Sequence, residues 1–245
     1  MSASSASTDP TCDVGIVCAL QIEIAPFLER ADKVHKVRGG DFTFYGVRLG
    51  EKKIAIVETG AGAKPAQRGT QALLDGHKPP WIISAGLSGG LAEALRIGDI
   101  VFGSEVSIEN EPTLAIPLQT LEPQPGLHVG RLLTSRHIVR LVSEKQQLHE
   151  QTGALAVDME SYHVARICIE RNTPFTAIRC ISDDLSADLP PEIMGIMGPK
   201  GTVRAGAIAA ALFNRPSCVK DLWSLRERAL KSSAQLAKFL IGLLK

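Results

Sequence analysis

Aromatic residues are scarce in this chain, at 4% of 245 residues, so small side chains, among them many Ala and 22 Gly, carry much of the interior. There is no basic surplus: Lys plus Arg number 27 against 26 Asp plus Glu, a net charge of +1, and the basic residues come singly or in pairs. Without a basic stripe, no nucleic-acid partner is expected. The 5 cysteines, Cys12, Cys18, Cys168, Cys180 and Cys218, form no CxxC pair. That pattern points to reduced thiols in a cytoplasmic protein and away from a zinc site. The histidines, among them His77, His128, His137, His149 and His163, lack metal-ligand spacing, so no metal is expected. No long apolar run is free of charge, which excludes a membrane-spanning helix. Residues 1–11 lack a basic residue and an apolar segment, and read as a disordered lead-in rather than a signal peptide.

What is present is a 44% apolar chain long enough for one substantial core, read as a single domain over residues 12–245. Buried strands are predicted at Val14–Leu20, Trp81–Ala85, Ile100–Val106, Gly130–Ser135, Ala154–Val157 and Phe175–Ile181. Phe42–Leu49 and Lys53–Thr59 flank Gly50-Glu51 as a hairpin. Helical spacing covers Gln21–Arg30, Pro65–Leu74, Ile138–Thr152, Ser161–Asn172, Val203–Leu212 and Val219–Leu244, the last with a break near Ala229. The Pro-containing stretch Asn110–Gly126 reads as an irregular loop. Leu185–Lys200, with Pro190-Pro191, reads as a lid or loop around a short helix, and its apolar edge suits packing or a transient membrane-surface contact. Strands alternating with helices predict an α/β fold, a single-domain α/β/α sandwich with a mixed, mainly parallel central sheet.

Two strands end in acids. Ala154–Val157 delivers Asp158-Met159-Glu160, and Phe175–Ile181 stops on Ser182-Asp183-Asp184. Acids at buried strand ends are costly unless paired or hydrogen-bonded, so both are candidate sites. Glu23, Gly60-Ala61-Gly62 and Gly86–Gly90 fall at other strand ends, where ligands gather in such sheets. Together they point to a pocket that grips a polyhydroxylated ligand and protonates a group beside it. Each residue also has a plainer reading. Asp183 and Asp184 could cap the next segment, Glu160 could be a helix N-terminal acid, Met159 a core residue and Glu23 an exposed helix acid. Gly60, Gly62, Lys64 and Arg68 form a candidate phosphate cradle, though Gly-x-Gly serves tight turns equally well.

In this order, these segments resemble the nucleoside phosphorylase and nucleosidase superfamily, in its methylthioadenosine/adenosylhomocysteine nucleosidase branch. The resemblance runs from Val14 to Asp184 through Gly15–Glu23, Gly86–Leu91, Gly98–Val101, Val157–Glu160 and Arg179–Asp183. It implies cleavage of the N-glycosidic bond of an adenine nucleoside. Asp183 would be the general acid for the leaving purine, with Ser182 orienting it. Glu160 would bind the ribose hydroxyls, Met159 would pack against the nucleoside, and Asp158 would contribute structure or contact. Ser88, with Gly89, would contact the ribose or nucleophile, and Ile138 would lie on the substrate wall. Asp184 replaces an apolar residue common at its position. Glu23 matches the base that deprotonates water in the nucleosidases, which favours hydrolysis; phosphorolysis, with inorganic phosphate as co-substrate, is the alternative. A non-catalytic nucleoside sensor is the third reading. Gly130–Thr134, Glu144-Lys145, Thr152–Ala154 and Asp158–Ser161 also resemble hopanoid-associated phosphorylases, implying an adenosylhopane-type substrate. The resemblance implies no cofactor and a homo-oligomer, a dimer in the nucleosidase branch.

Overall fold

The computed structural model describes residues 10–117, 124–196 and 218–245. The lead-in over 1–9, the predicted helix Val203–Leu212 and the far end of the lid segment lie outside the described residues.

Apolar alternation builds the sheet. Along β1 (Val14–Cys18), Val14, Ile16 and Cys18 face one core and Val17 the other. After α1 (Gln21–Leu28) and β2 (Lys33–Gly39) come β3 (Phe42–Leu49) and β4 (Lys52–Glu58). In β4 the same split sends Ile54 and Ile56 to one side and Ala55 and Val57 to the other. Next are α2 (Ala63–His77), β5 (Ile82–Gly90), β6 (Ile100–Ile108), β7 (Leu114–Ala115) and β8 (Leu127–Thr134). The chain continues through α3 (Val142–Thr152), β9 (Ala156–Asp158), α4 (Ser161–Glu170), β10 (Phe175–Asp183), α5 (Ile193–Ile196) and α6 (Cys218–Leu244). Period-2 strands thus feed two apolar layers, one shared with α2 and α4, the other with α1 and α6. This is an α/β/α sandwich.

The 10-stranded sheet runs β10-β6-β8-β9-β5-β1-β4-β3-β2, with β7 on β6. Because β10 also pairs with β5, the strands β5, β9, β8, β6 and β10 close a ring. Parallel pairs join β4, β1, β5 and β10 and, separately, β6, β8 and β9. Antiparallel pairs are as frequent, because β9 turns back along the end of β5 and β6 runs against β10.

Four elements differ from the sequence expectation. β2 is an additional edge strand whose residues are all exposed, so no apolar period marks it. β5 continues through Gly86–Gly90 instead of ending there, since Gly89 and Gly90 pair with Val157 and Ala156 of β9. α6 is continuous through Ala229, and its buried Ser232 anchors it to β10 by donating to the Ile181 carbonyl at 2.7 Å. α3 starts at Val142, four residues later than its amphipathic pattern begins.

Gly15 sits where β1, β5 and α2 meet. A Cβ there would lie 2.6 Å from Ile82 Cδ1 and 2.8 Å from Pro79 Cγ. Gly15→Ala is expected to destabilise the fold by about 1–3 kcal/mol through overpacking. Urea unfolding should show a lower midpoint with an unchanged slope.

Candidate active site

β1, β5, β9 and β10 bring their acidic and glycine-rich ends to one cavity of about 190 Å³. Its lining includes Glu23, Ser88, Gly89, Ile138, Asp158, Met159, Glu160, Ser182 and Asp183, all the residues singled out as catalytic or substrate-binding. Larger grooves of about 450 and 700 Å³ lie elsewhere, but neither collects buried acids.

Glu23 projects from the first turn of α1 and is buried, not an exposed helix acid. Its Oε2 accepts the N–H groups of Ala19 and Leu20 at 2.9 and 2.8 Å, and its Oε1 accepts that of Leu87 at 2.9 Å. Burial pushes its carboxyl up, against the pull of these amides and of Arg179. Gly86 makes the approach possible, for a Cβ there would stand 2.8 Å from Glu23 Oε1. The glycine motif is therefore a requirement for close contact between a strand and a carboxylate.

Glu160 forms the N-cap position of α4, yet its side chain turns away from a capping role. Its Oε1 accepts the Gly62 N–H at 2.6 Å. Burial, then the charges of Asp158 and Glu23, push its carboxyl up to about 8. Asp158 does the opposite job. Its Oδ1 accepts from Thr134 Oγ1 at 2.9 Å and from the Glu160 and Ser161 amides at 3.2 Å, while Oδ2 meets Arg179 Nε at 2.6 Å. Burial alone would raise Asp158, but the Arg179 guanidinium and the hydrogen bonds from Ser161 and Thr134 outweigh it and hold the carboxyl below its usual range. Both its oxygens are spent on the protein, so its geometry is that of a brace rather than a ligand contact.

Asp183 ends β10 with two donors on its carboxyl. Ser182 Oγ donates to Oδ1 at 2.8 Å and Lys145 Nζ to Oδ2 at 2.5 Å. The capping role falls instead to Asp184, whose Oδ1 accepts the Ser186 N–H at 3.0 Å. Ser88 Oγ is buried in the site and has no hydrogen-bond partner in the protein, a vacancy that suits a ligand hydroxyl.

The phosphate cradle does not assemble. The Gly60 N–H is bonded to the Ala19 carbonyl at 2.8 Å and the Gly62 N–H to Glu160. Arg68 points to the surface, where it pairs with Asp41 at 2.7 Å, and Lys64 is exposed. These amides are used up inside the protein, and α2 directs the cations away from the cavity.

Two functional residues were not among those singled out. Arg179, only 2% exposed, was visible as a charge within the apolar run Phe175–Ile181, the mark of a buried ion pair. Lys145 is fully buried. On a helix that reads as charged and amphipathic, nothing in its spacing separates it from solvated neighbours. Among the described residues, no group of three or more His, Cys, Asp or Glu is arranged to hold a metal ion, and no helix is long and apolar enough to cross a membrane.

Residues 13–118 and 109–214 match the phosphorylase superfamily. A 5'-methylthioadenosine/S-adenosylhomocysteine nucleosidase of Staphylococcus aureus is 24% identical over 195 residues, covering 69% of this chain and 86% of the relative. The Helicobacter pylori nucleosidase of the same name, solved with a pyrrolidinol ligand, superposes with TM-score 0.71 at 20% identity, covering 96% of this chain and 99% of that one. The futalosine hydrolase of Helicobacter pylori gives TM-score 0.70 at 19% identity, with 96% and 97% covered.

The raised Glu160 carboxyl has a consequence for stability. Folded protein keeps this proton to about pH 8, whereas the unfolded chain releases it near 4.5. Between those values the folded state binds more protons, so its stability is highest below the window and is lost as pH rises through the folded value. Denaturant midpoints of the unliganded protein should fall between about pH 5 and 9, and Glu160→Gln should flatten that decline.

Proposed function

The chain belongs to the phosphorylase superfamily, and we propose that it hydrolyses the N-glycosidic bond of an adenine nucleoside. The observation that carries this reading is the meeting of Glu23, Glu160 and Asp183 around one cavity whose candidate phosphate ligands point elsewhere. The purine lies against Asp183 and the ribose against Glu160 and Ser88, whose unpartnered hydroxyl takes a sugar oxygen. A small recess of about 10 Å³, with Glu23, Glu160 and Arg179 in its lining, is consistent with a water nucleophile, since about one probe volume is what a buried water needs.

In the reaction, water oxygen bonds to C1′ and gives a proton to the Glu23 carboxylate, whose raised basicity suits that task. The C1′–N9 electron pair passes to the purine, which takes a proton at N7 from Asp183. The Glu23 carboxylate beside the sugar favours the positive charge that develops there, and would repel an anionic nucleophile. The hopanoid-like segments support a large apolar substituent on the sugar, near Ile138 and Leu189 at the cavity wall, and would keep phosphorolysis as the second reading. The buried free thiols Cys12, Cys18, Cys168 and Cys180 support a reducing, cytoplasmic setting.

Adenine release should proceed without phosphate and yield the free sugar. Products that form only with phosphate, as a sugar 1-phosphate, would establish phosphorolysis instead. Tight nucleoside binding without turnover would establish a sensor. Asp183→Asn, which keeps an acceptor for Ser182 and Lys145 but loses the charge, should lower kcat by at least about 10²-fold, measured on protein shown to be folded by circular dichroism.

The assembly reading is a homodimer, resting on the family resemblance. Specific activity should then fall on dilution as light scattering reports dissociation. A fully active monomer would refute the reading that the dimer is the active form.

A further inference from the structure

Lys145 stands behind the cavity, not in its lining, and has no exposed surface. Its ammonium lies 2.5 Å from Asp183 Oδ2 and 3.2 Å from the Asp184 carbonyl oxygen. The site makes room for the pair: a Cβ on Gly89 would come within 3.1 Å of Asp183 Oδ2 and 3.5 Å of Lys145 Cε. A buried ammonium is a poor stabiliser compared with an apolar side chain of the same size, so its presence calls for a use. Asp183 presents its carboxyl between two donors, Ser182 on Oδ1 and Lys145 on Oδ2, which fixes its plane.

We propose that Lys145 is a positioning residue that stores, in its pair with Asp183, the proton handed to the leaving base. The proposal rests on the reading of Asp183 as the acid. At rest the pair is ammonium and carboxylate; as the base departs it becomes amine and carboxylic acid, by transfer of one proton along the short contact. Both forms carry the same net charge, so the exchange demands little solvation around the fully buried Lys145. Asp183 then gives that proton to N7 as the C1′–N9 electron pair moves onto the purine. This leaves a neutral Lys145 amine, which is reprotonated through solvent as Glu23 releases the proton it took from the water nucleophile, so no net proton is gained or lost.

The test is a cycle of wild type, Lys145→Met, Asp183→Asn and the double variant, followed by adenine release. Lys145→Met should lower kcat by at least about 10²-fold with KM nearly unchanged. In the Asp183→Asn background the same substitution should cost almost nothing, because the two act as one unit. Losses that multiply would overturn the proposal. If the single Lys145→Met variant fails to fold because it strands Asp183, the comparison of Asp183→Asn with the double variant, which buries neither charge, still decides. Lys145→Arg keeps a cation but cannot surrender its proton, so it should stay as slow as Lys145→Met; near-wild-type turnover would overturn the proton role. A wild type that releases no adenine from any adenine nucleoside would refute the functional reading itself, a separate outcome.

Discussion

The ion pair between Arg179 and Asp158 is the contact on which the site depends. A guanidinium in mid-strand is buried only because its donors all turn inward. Nε meets Asp158 at 2.6 Å, Nη1 meets the carbonyls of Ser84 and Ile178, and Nη2 meets Ser84 Oγ. These bonds tie β10, β5 and the end of β9 together at the point where the sheet closes its ring. Removing one partner of such a pair strands a charge in the interior, a loss of about 3–5 kcal/mol. Met159 and Glu160 follow Asp158 directly, so the same brace aims the groups that line the cavity.

Charge within the site follows from this frame. Glu23, Asp158, Glu160 and Asp183 face two buried cations, Arg179 and Lys145. Each cation is committed to one acid: Arg179 to Asp158, Lys145 to Asp183. Glu23 is left with backbone amides, and Glu160 meets the remaining imbalance by holding its proton to about pH 8. With two acids paired and Glu160 holding its proton, the Glu23 carboxylate is the charge left to attract developing positive charge and repel anions. Hydrolysis through a sugar-centred cation fits that field better than attack by phosphate.

Much of the fold was legible because its signals are local. Period-2 apolar runs divided β1 and β4 between two cores, and the strands that end in acids named the cavity before any contact was known. β2 escaped because all of it is exposed, and the break expected near Ala229 is absent because α6 runs on unbroken to Leu244. Gly86, Gly89 and Gly90 made their segment read as a turn, since glycine permits one. Their use is to let side chains approach a continuing strand, which depends on what lies across from them.

The sequence by itself determined the layered α/β order, the acids at the strand ends and Arg179 as a charge that had to find a partner. Each follows from the period of apolar residues and the cost of burying charge. Tertiary structure alone decided which groups meet. Lys145 reaches Asp183 from 38 residues away and Gly62 reaches Glu160 from 98. Helical spacing cannot distinguish a lysine that faces water from one that faces a carboxylate in the core. Nor can a Gly-x-Gly turn reveal whether its amides are free for phosphate or already bound to an acid. Both outcomes are set by long-range packing, which places the partner.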